Sequence, residues 1–437
     1  MNRLVLSVDI GTSSLKAALF DRKGTVWADT RCRFPRGVRT ARHWTDAFIE
    51  AMCSLASTLT AHDPLSARPE IVAISISGNG PTLVSLDEKG NAGDLLLWND
   101  PIPQTAASNS IFIPRINGFI KLFPESWNAA QTLLSGPEYL IYCLTGAKIT
   151  ILPEPRFAEA YWSVDGLSRA RLEDAAKKLP PFVTTGTIAG YTSREENIAS
   201  TPIFPPDFHE LLPTGIPVIA GGPDFVVALI GTGTLESGKA CDRAGTSEGL
   251  NVCVSSPIIH KDIRPLPSVI GGLWNAAYLL PETGAQFHAW RKGSGQAMRS
   301  YPDIMRDIES SPILPGAGET LSEGRALVER IGFSVRKGIE TLRAATGLDP
   351  VFSLSGGQAR NDIWNQMKAD ITGATFELTS TPDGELMGDA IVAFTALGAY
   401  ANLKEAAREM VSVIHVYESD PDRHALYSEK YAKHENL

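Results

Sequence analysis

Short apolar runs broken by turn residues organise the start of the chain. Leu4 to Ile10, Leu15 to Asp21 and Thr25 to Arg31 read as three strands, separated by a Gly-Thr-Ser-Ser turn and by the turn Arg22-Lys23-Gly24. The period then changes. Phe48, Met52, Leu55, Ala56 and Leu59 recur at helical spacing and predict a helix from about Trp44 to Leu59. Ile71 to Ser77 reads as a further strand, followed by the apolar run Leu83 to Leu86.

The second half repeats the theme loosely. A glycine-hydroxyl turn at Gly245 to Ser247 precedes the apolar run Leu250 to Val254. Val351 to Leu354 runs into Ser355-Gly356-Gly357, a helix starts near Asn361, and Thr375 to Leu378 precedes a closing helix from about Glu385 to Asn402. One glycine-hydroxyl turn in each half is what an internal duplication leaves behind. Three strands, a helix and a strand open a ribonuclease-H-like domain. The expected fold is therefore α/β, with two ribonuclease-H-like domains, 1–239 and 240–437. The stretch from about Pro101 to Pro217 is rich in Pro and Gly with weak periodicity, and is expected to be a less regular insertion.

A chain of 437 residues suits two domains of about 200 residues each. The formal net charge of -9 disfavours a nucleic-acid or anionic-membrane partner. Cys32, Cys53, Cys143, Cys241 and Cys253 are odd in number and scattered, as thiols of a reducing compartment would be. Asp9 interrupts the N-terminal apolar stretch, which is no signal peptide, and Leu386 to Ala401 is too short for a membrane span and carries Asp389. A cytoplasmic protein is expected.

Three short motifs carry candidate chemistry. In Asp9-Ile10-Gly11-Thr12-Ser13-Ser14, Gly11 lets backbone N–H groups approach phosphate oxygens, and Thr12 and Ser13 add hydroxyl donors. Asp9, at a strand end, suits Mg²⁺ held through water, and Lys16 is within reach of the same phosphates. Taken alone the segment is also an ordinary polar hairpin turn. Gly245 and Thr246 repeat the arrangement at mid-chain. Gly356 and Gly357 end a buried-looking strand, where paired glycines let a flat adenine lie against the backbone with Asn361 near it. Read singly, those glycines make a turn and Asn361 a helix cap.

Together the three motifs resemble the FGGY family of carbohydrate kinases. Four further segments agree in order. Ile74 to Asp87, with Asn79 and Gly80, looks like the family's sugar-contacting turn, and Leu95 to Asp100, with Trp98 and Asp100, like its Trp-x-Asp substrate segment. Val218 to Gly238 resembles the stretch carrying the catalytic aspartate, and Gly284-Ala285 through Trp290 a nucleotide-contacting glycine followed by a tryptophan. The resemblance implies ATP and Mg²⁺ as cofactors, Asp9 on the metal and Asp224 as general base. It implies nucleotide contacts from Gly11, Thr12, Ser13, Lys16, Gly245, Thr246, Gly284, Gly356, Gly357 and Asn361. Substrate contacts would come from Asn79, Gly80, Trp98, Asp100, Asp224 and Phe225. The resemblance also implies two actin-like ATPase domains flanking a nucleotide and substrate cleft, the N-terminal domain serving mainly the substrate and the C-terminal domain the nucleotide. The partner is a small sugar or polyol, with no nucleic acid or membrane, and a homodimer is allowed.

The chain departs from the family on the substrate side. Xylulokinase-like members have Gln-Met-His-Gly where this chain has Asn79-Gly80-Pro81-Thr82. Phe225 follows the aspartate where Asn or Gln is usual, and Pro101, Ile102 and Pro103 stand where an arginine is expected. A pocket that loses hydrogen-bonding groups no longer selects for hydroxyls. A smaller or less hydroxylated acceptor than xylulose is expected. The alternative is an ATP-binding regulatory or switch protein on the same fold.

Overall fold

Leu4, Leu6 and Val8 are as fully buried as Val5, Ser7 and Asp9, so the first strand, β1 (Arg3–Ile10), is covered on both faces. The computed structural model describes residues 3–37, 39–62, 69–104, 109–193, 199, 203–311 and 320–435. They form two units: residues 1–231 with 385–410, and residues 232–384 with 411–437.

In the first unit β2 (Ser14–Phe20) and β3 (Val26–Arg33) complete an antiparallel meander with β1, each within two residues of its expected bounds. The helix α1 (Arg42–His62) follows and buries Trp44, Phe48, Ala51, Met52 and Leu55 against the sheet core. β4 (Glu70–Gly78) then returns parallel to β1, because the intervening helix carries the chain back to the same sheet end. The sheet order is Ile188–Tyr191, Pro217–Pro223, β4, β1, β2, β3.

The stretch 101–217 is more regular than its sequence suggests. It holds helices at Ile113–Leu122, Pro124–Ala129 and Gly136–Thr145. The last begins with a capping box between Ser135 and Glu138 and ends at Gly146, whose φ is 77°. Gly136 to Leu144 are all buried. A helix apolar on every side presents no stripe for periodicity to detect.

Helix Gly384–Ala396 packs from Glu385 onward into the first unit. Asp389 accepts hydrogen bonds from Ser75 Oγ (2.8 Å) and Ser77 Oγ (2.6 Å) of β4. Two glycines permit that approach: a Cβ on Gly221 would lie 2.2 Å from Asp389 Oδ1, and one on Gly388 1.9 Å from the Val227 carbonyl oxygen.

The second unit repeats the topology. Its sheet order is Arg264–Pro267, Trp274–Leu280, Glu248–Val254, Ala240–Ala244, Phe352–Ser355, Phe376–Thr379, Val413–Tyr417. Ala240–Ala244 is antiparallel to the strand after it and parallel to Phe352–Ser355, as β1 is to β2 and β4. Among the described residues no helix is long and apolar enough to cross a membrane. All five cysteines are free thiols, and only Cys53 is exposed.

Candidate functional site

Strand register gathers the first unit's chemistry at one sheet end. Ile10 of β1 pairs with Gly78 of β4, and Gly78 pairs with Pro223. The residues just beyond these three strand ends are Gly11 to Ser13, Asn79 and Asp224. The carboxyl ends of parallel strands are where α/β sheets bind ligands.

Asp9 is buried, with Lys16 Nζ 3.1 Å from its Oδ2, and Lys16 also lies 3.5 Å from Glu385 Oε2. Asp9 Oδ1 is buried without a hydrogen-bond partner among the described residues. Burial pushes the Asp9 carboxyl up to about 6; Lys16 opposes that rise, and the charges of Glu385 and Asp224 add to it. Asp224 opens the helix Asp224–Gly231, and its Oδ1 accepts the Phe225 N–H at 2.7 Å. Glu385 was not anticipated from sequence, where it is one carboxylate in a helix's first turn. Asp389 is raised well above the usual carboxylate range, chiefly by burial.

Thr12 Oγ1 joins two of the sequence-predicted turns. It accepts from Trp98 Nε1 (3.0 Å) and Asn79 Nδ2 (3.3 Å). Thr82 Oγ donates to Asn79 Oδ1 at 3.3 Å and accepts from the Trp98 N–H at 3.1 Å, so the Asn79 and Trp98 turns brace each other. Gly80 faces open space. Gly11 is closed on one side, since a Cβ there would sit 3.0 Å from the Ser14 carbonyl oxygen; Ser13 is exposed and accepts the Phe34 N–H through its own carbonyl at 3.0 Å. Asp100 Oδ2 accepts the Leu97 N–H at 2.7 Å. The guanidinium missing from the sequence directly after Asp100 arrives from the helix Ile113–Leu122: Arg115 donates to the Asp100 carbonyl (2.7 Å) and to the Leu97 carbonyl. Phe225 is half-buried with its ring 6.3 Å from that of buried Phe157.

In the second unit the sequence-predicted nucleotide residues converge through backbone contacts. The Gly245 N–H bonds to the Ser247 carbonyl (2.8 Å), closing the turn, and Gln358 Nε2 donates to the Gly245 carbonyl at 3.0 Å. The Ala285 N–H donates to the Thr246 carbonyl at 3.0 Å. Gly284 and Gly356 are packing glycines: a Cβ would lie 1.9 Å from the Gly245 oxygen and 2.5 Å from the Ala244 oxygen respectively, and Gly356 has a φ of 91°. Gly357 differs, because a Cβ there would meet nothing within 4 Å. Asn361 caps the helix Asp362–Thr372, its Oδ1 accepting the Trp364 N–H at 3.1 Å.

This contrast predicts different outcomes for two small substitutions. Gly284→Ala displaces the Gly245 turn, so thermal stability and ATP affinity should both fall. Gly357→Ala should leave the melting temperature of the nucleotide-free protein within about 2 °C, since it adds no clash, and should weaken ATP binding alone. Thermal-shift and calorimetric titrations of both variants check this; equal loss of stability would remove Gly357 from the binding surface.

Comparison with known proteins agrees with these motifs. The model of the FGGY carbohydrate kinase N-terminal domain matches residues 4–118, and that of the C-terminal domain matches residues 305–397. Xylulose kinase of Staphylococcus epidermidis is 24% identical, with 100% of this chain and 97% of the relative aligned. The L-xylulose/3-keto-L-gulonate kinase of Escherichia coli is 24% identical over the same shares, 100% and 97%. Glycerol kinase of Plasmodium falciparum with ADP shares the fold at a TM-score of 0.78 and 14% identity, covering 100% of this chain and 98% of that one. With both domain models matched in order and relatives aligned from end to end, the chain belongs to the FGGY family of carbohydrate kinases.

Proposed function

We propose that the protein transfers the γ-phosphoryl group of ATP to a hydroxyl of a sugar or polyol, with Asp224 as general base. The observation that carries this is the convergence of Asp9, Lys16, Glu385 and Asp224 beside the Thr12, Asn79 and Trp98 cluster, at the carboxyl ends of parallel strands. A sugar hydroxyl is a weak nucleophile. As its oxygen bonds to the γ-phosphorus and the bond to the ADP oxygen breaks, its proton passes to the Asp224 carboxylate. The remaining requirement is to hold the reactants and spread charge. Lys16 and the donors of Gly11, Thr12 and Ser13 are assigned to phosphate oxygens. Gly245, Thr246, Gly284, Gly356, Gly357 and Asn361 are assigned to the nucleotide, where the open face of Gly357 leaves room for a flat base.

The buried, hydrogen-bond-free Oδ1 of Asp9 fits a hard divalent cation held through its waters. Mg²⁺ bound there would neutralise phosphate charge. The relatives found give no support to a regulatory switch.

Asn79, Gly80, Trp98 and Asp100 are assigned to the acceptor. Phe225 supplies an apolar surface next to the proposed base, so an acceptor with fewer hydroxyls than xylulose is favoured. The test is ADP release from Mg-ATP over a panel of polyols, deoxy-sugars and D-xylulose. Phe225→Asn should raise kcat/KM for D-xylulose relative to a deoxy-sugar by about tenfold, the scale of one hydrogen bond in a pocket. An unaltered rank order would show that other residues read the sugar. No acceptor-dependent ADP release from any member of the panel would overturn the kinase reading itself.

A further inference from the structure

We propose that the acceptor site includes an anion subsite built on Arg39, and that the acceptor is a sugar carrying a carboxylate or phosphate group away from the hydroxyl that is phosphorylated. This rests on the kinase reading above and narrows its substrate class.

The chain is acidic, with a net charge of -9, yet residues 31–43 contain Arg31, Arg33, Arg36, Arg39 and Arg42 and no carboxylate. This segment is attached to the phosphate-side loop, because the Phe34 N–H donates to the Ser13 carbonyl at 3.0 Å. The Arg39 guanidinium lies over the Phe34 ring, 5.2 Å from its centroid. Its Nη1 is buried with no hydrogen-bond partner among the described residues. Arg39 as a whole is half-buried.

A second guanidinium is held at the Trp98–Asp100 turn. Arg115, 6% exposed, spends its two terminal nitrogens on the Asp100 and Leu97 carbonyls and leaves Nε buried without an acceptor. These bonds hold Arg115 at the turn that Trp98 ties to Thr12, and the charge of Asp100 acts on Arg115 and on Arg39. One carboxylate charge thus acts on two guanidinium groups. That carboxylate already accepts the Leu97 N–H.

The opposite end of the site has the opposite sign. Asp9, Asp224 and Glu385 stand against Lys16 alone among the groups acting on Asp9. An anionic acceptor is repelled from that end and attracted to Arg39, which orients it with its hydroxyl toward Asp224. A neutral sugar hydroxyl gains a weaker hydrogen bond from the excess cation than an anion does. A carboxylate or phosphate matches the guanidinium fork and satisfies the orphaned N–H.

Xylitol, D-xylonate and xylitol 5-phosphate share one carbon chain and differ at one terminus, so they isolate the anion. With saturating Mg-ATP, kcat/KM should favour at least one of the two anions over xylitol by on the order of tenfold to a hundredfold, the range of one charge-assisted hydrogen bond. Preference for xylonate identifies a carboxylate, and preference for the phosphate ester a phosphorylated sugar. Arg39→Gln should lower kcat/KM for the preferred anion at least tenfold more than for xylitol, with Arg39→Lys intermediate. Equal rates on all three acceptors, or an Arg39→Gln effect that scales all three alike, would overturn the subsite. Calorimetric titration of the same anions, with a non-hydrolysable ATP analogue present, separates this inference from the one beneath it. Arg39-dependent anion binding without ADP release keeps the subsite and removes the kinase assignment. ADP release with neutral sugars and no Arg39-dependent anion binding does the reverse.

Discussion

Asp224→Asn should lower kcat by about 10²–10⁴-fold, the contribution of a positioned general base, while the Kd for ATP stays within about twofold, since the carboxylate acts on the acceptor and not the nucleotide. The substitution is conservative in structure. Asparagine keeps the Oδ1 that accepts the Phe225 N–H at the start of helix Asp224–Gly231, so the local backbone has no reason to move. Gly357→Asp should do the opposite. It puts a side chain and a charge where no atom lies within 4 Å of the built Cβ, and ATP affinity should collapse while the fold survives. Calorimetric titration with ATP and single-turnover kinetics on each variant separate the two effects. If both variants lost ATP equally, Asp224 would be a structural or metal-bound residue and the base assignment would fall.

Much of the framework behind that assignment is readable from the chain. β1, β2, β3, α1 and β4 lie within about three residues of their expected bounds, because buried runs, turn chemistry and helical spacing all point the same way there. The segments that carry Asp9, Asn79 and Asp224 are readable as motifs, but their proximity is a property of register. Ile10, Gly78 and Pro223 become neighbours only once three strands separated by long crossovers pair in parallel.

Long-range side-chain contacts leave no local pattern. Asp389 is held by hydrogen bonds from Ser75 and Ser77 and Glu385 lies beside Lys16, and no periodicity links these residues to a helix at the far end of the chain. Arg115 restores a guanidinium to the Trp98–Asp100 turn from a helix inside the stretch expected to be irregular. The strand Val413–Tyr417 was not anticipated either, although its β-branched and aromatic residues are a strand signal; in the structure its first four residues are exposed. Asn361 was legible as a helix cap from its position alone, and a cap is what its Oδ1 makes.

The largest stability effect should come from a residue with no motif at all. Lys368 is fully buried in helix Asp362–Thr372, with its Nζ bonded to Asp242 Oδ2 and 2.7 Å from Glu248 Oε1. Those carboxylates belong to the strands on either side of the Gly245 turn, so one ammonium fastens both strands to the helix that follows Gly357. Lys368→Met should cost about 3–5 kcal/mol, because it removes the one cation that Asp242 and Glu248 share in a buried site. The same triad sets a pH dependence. Burial pushes Asp242 up to about 8, the Glu248 charge adds to the rise, and Lys368 opposes it. A carboxyl that titrates near 4 when unfolded therefore holds its proton more tightly in the folded state across the interval from about 4 to about 8. Stability contributed by the neutral form is fully present below that interval and is lost as pH rises through it, by at most about 1.4 kcal/mol per pH unit. Lys368 is itself raised by the two carboxylates, so its ammonium persists throughout the window and adds no opposing slope. Asp242→Asn should flatten the decline while keeping most of the wild-type stability at low pH, since it holds the site in the uncharged form. Calorimetric melting of the wild type and both variants from pH 5 to 9 measures this. A wild-type stability that rises through the window, or a slope that survives Asp242→Asn, would show that the proton sits elsewhere in the second unit.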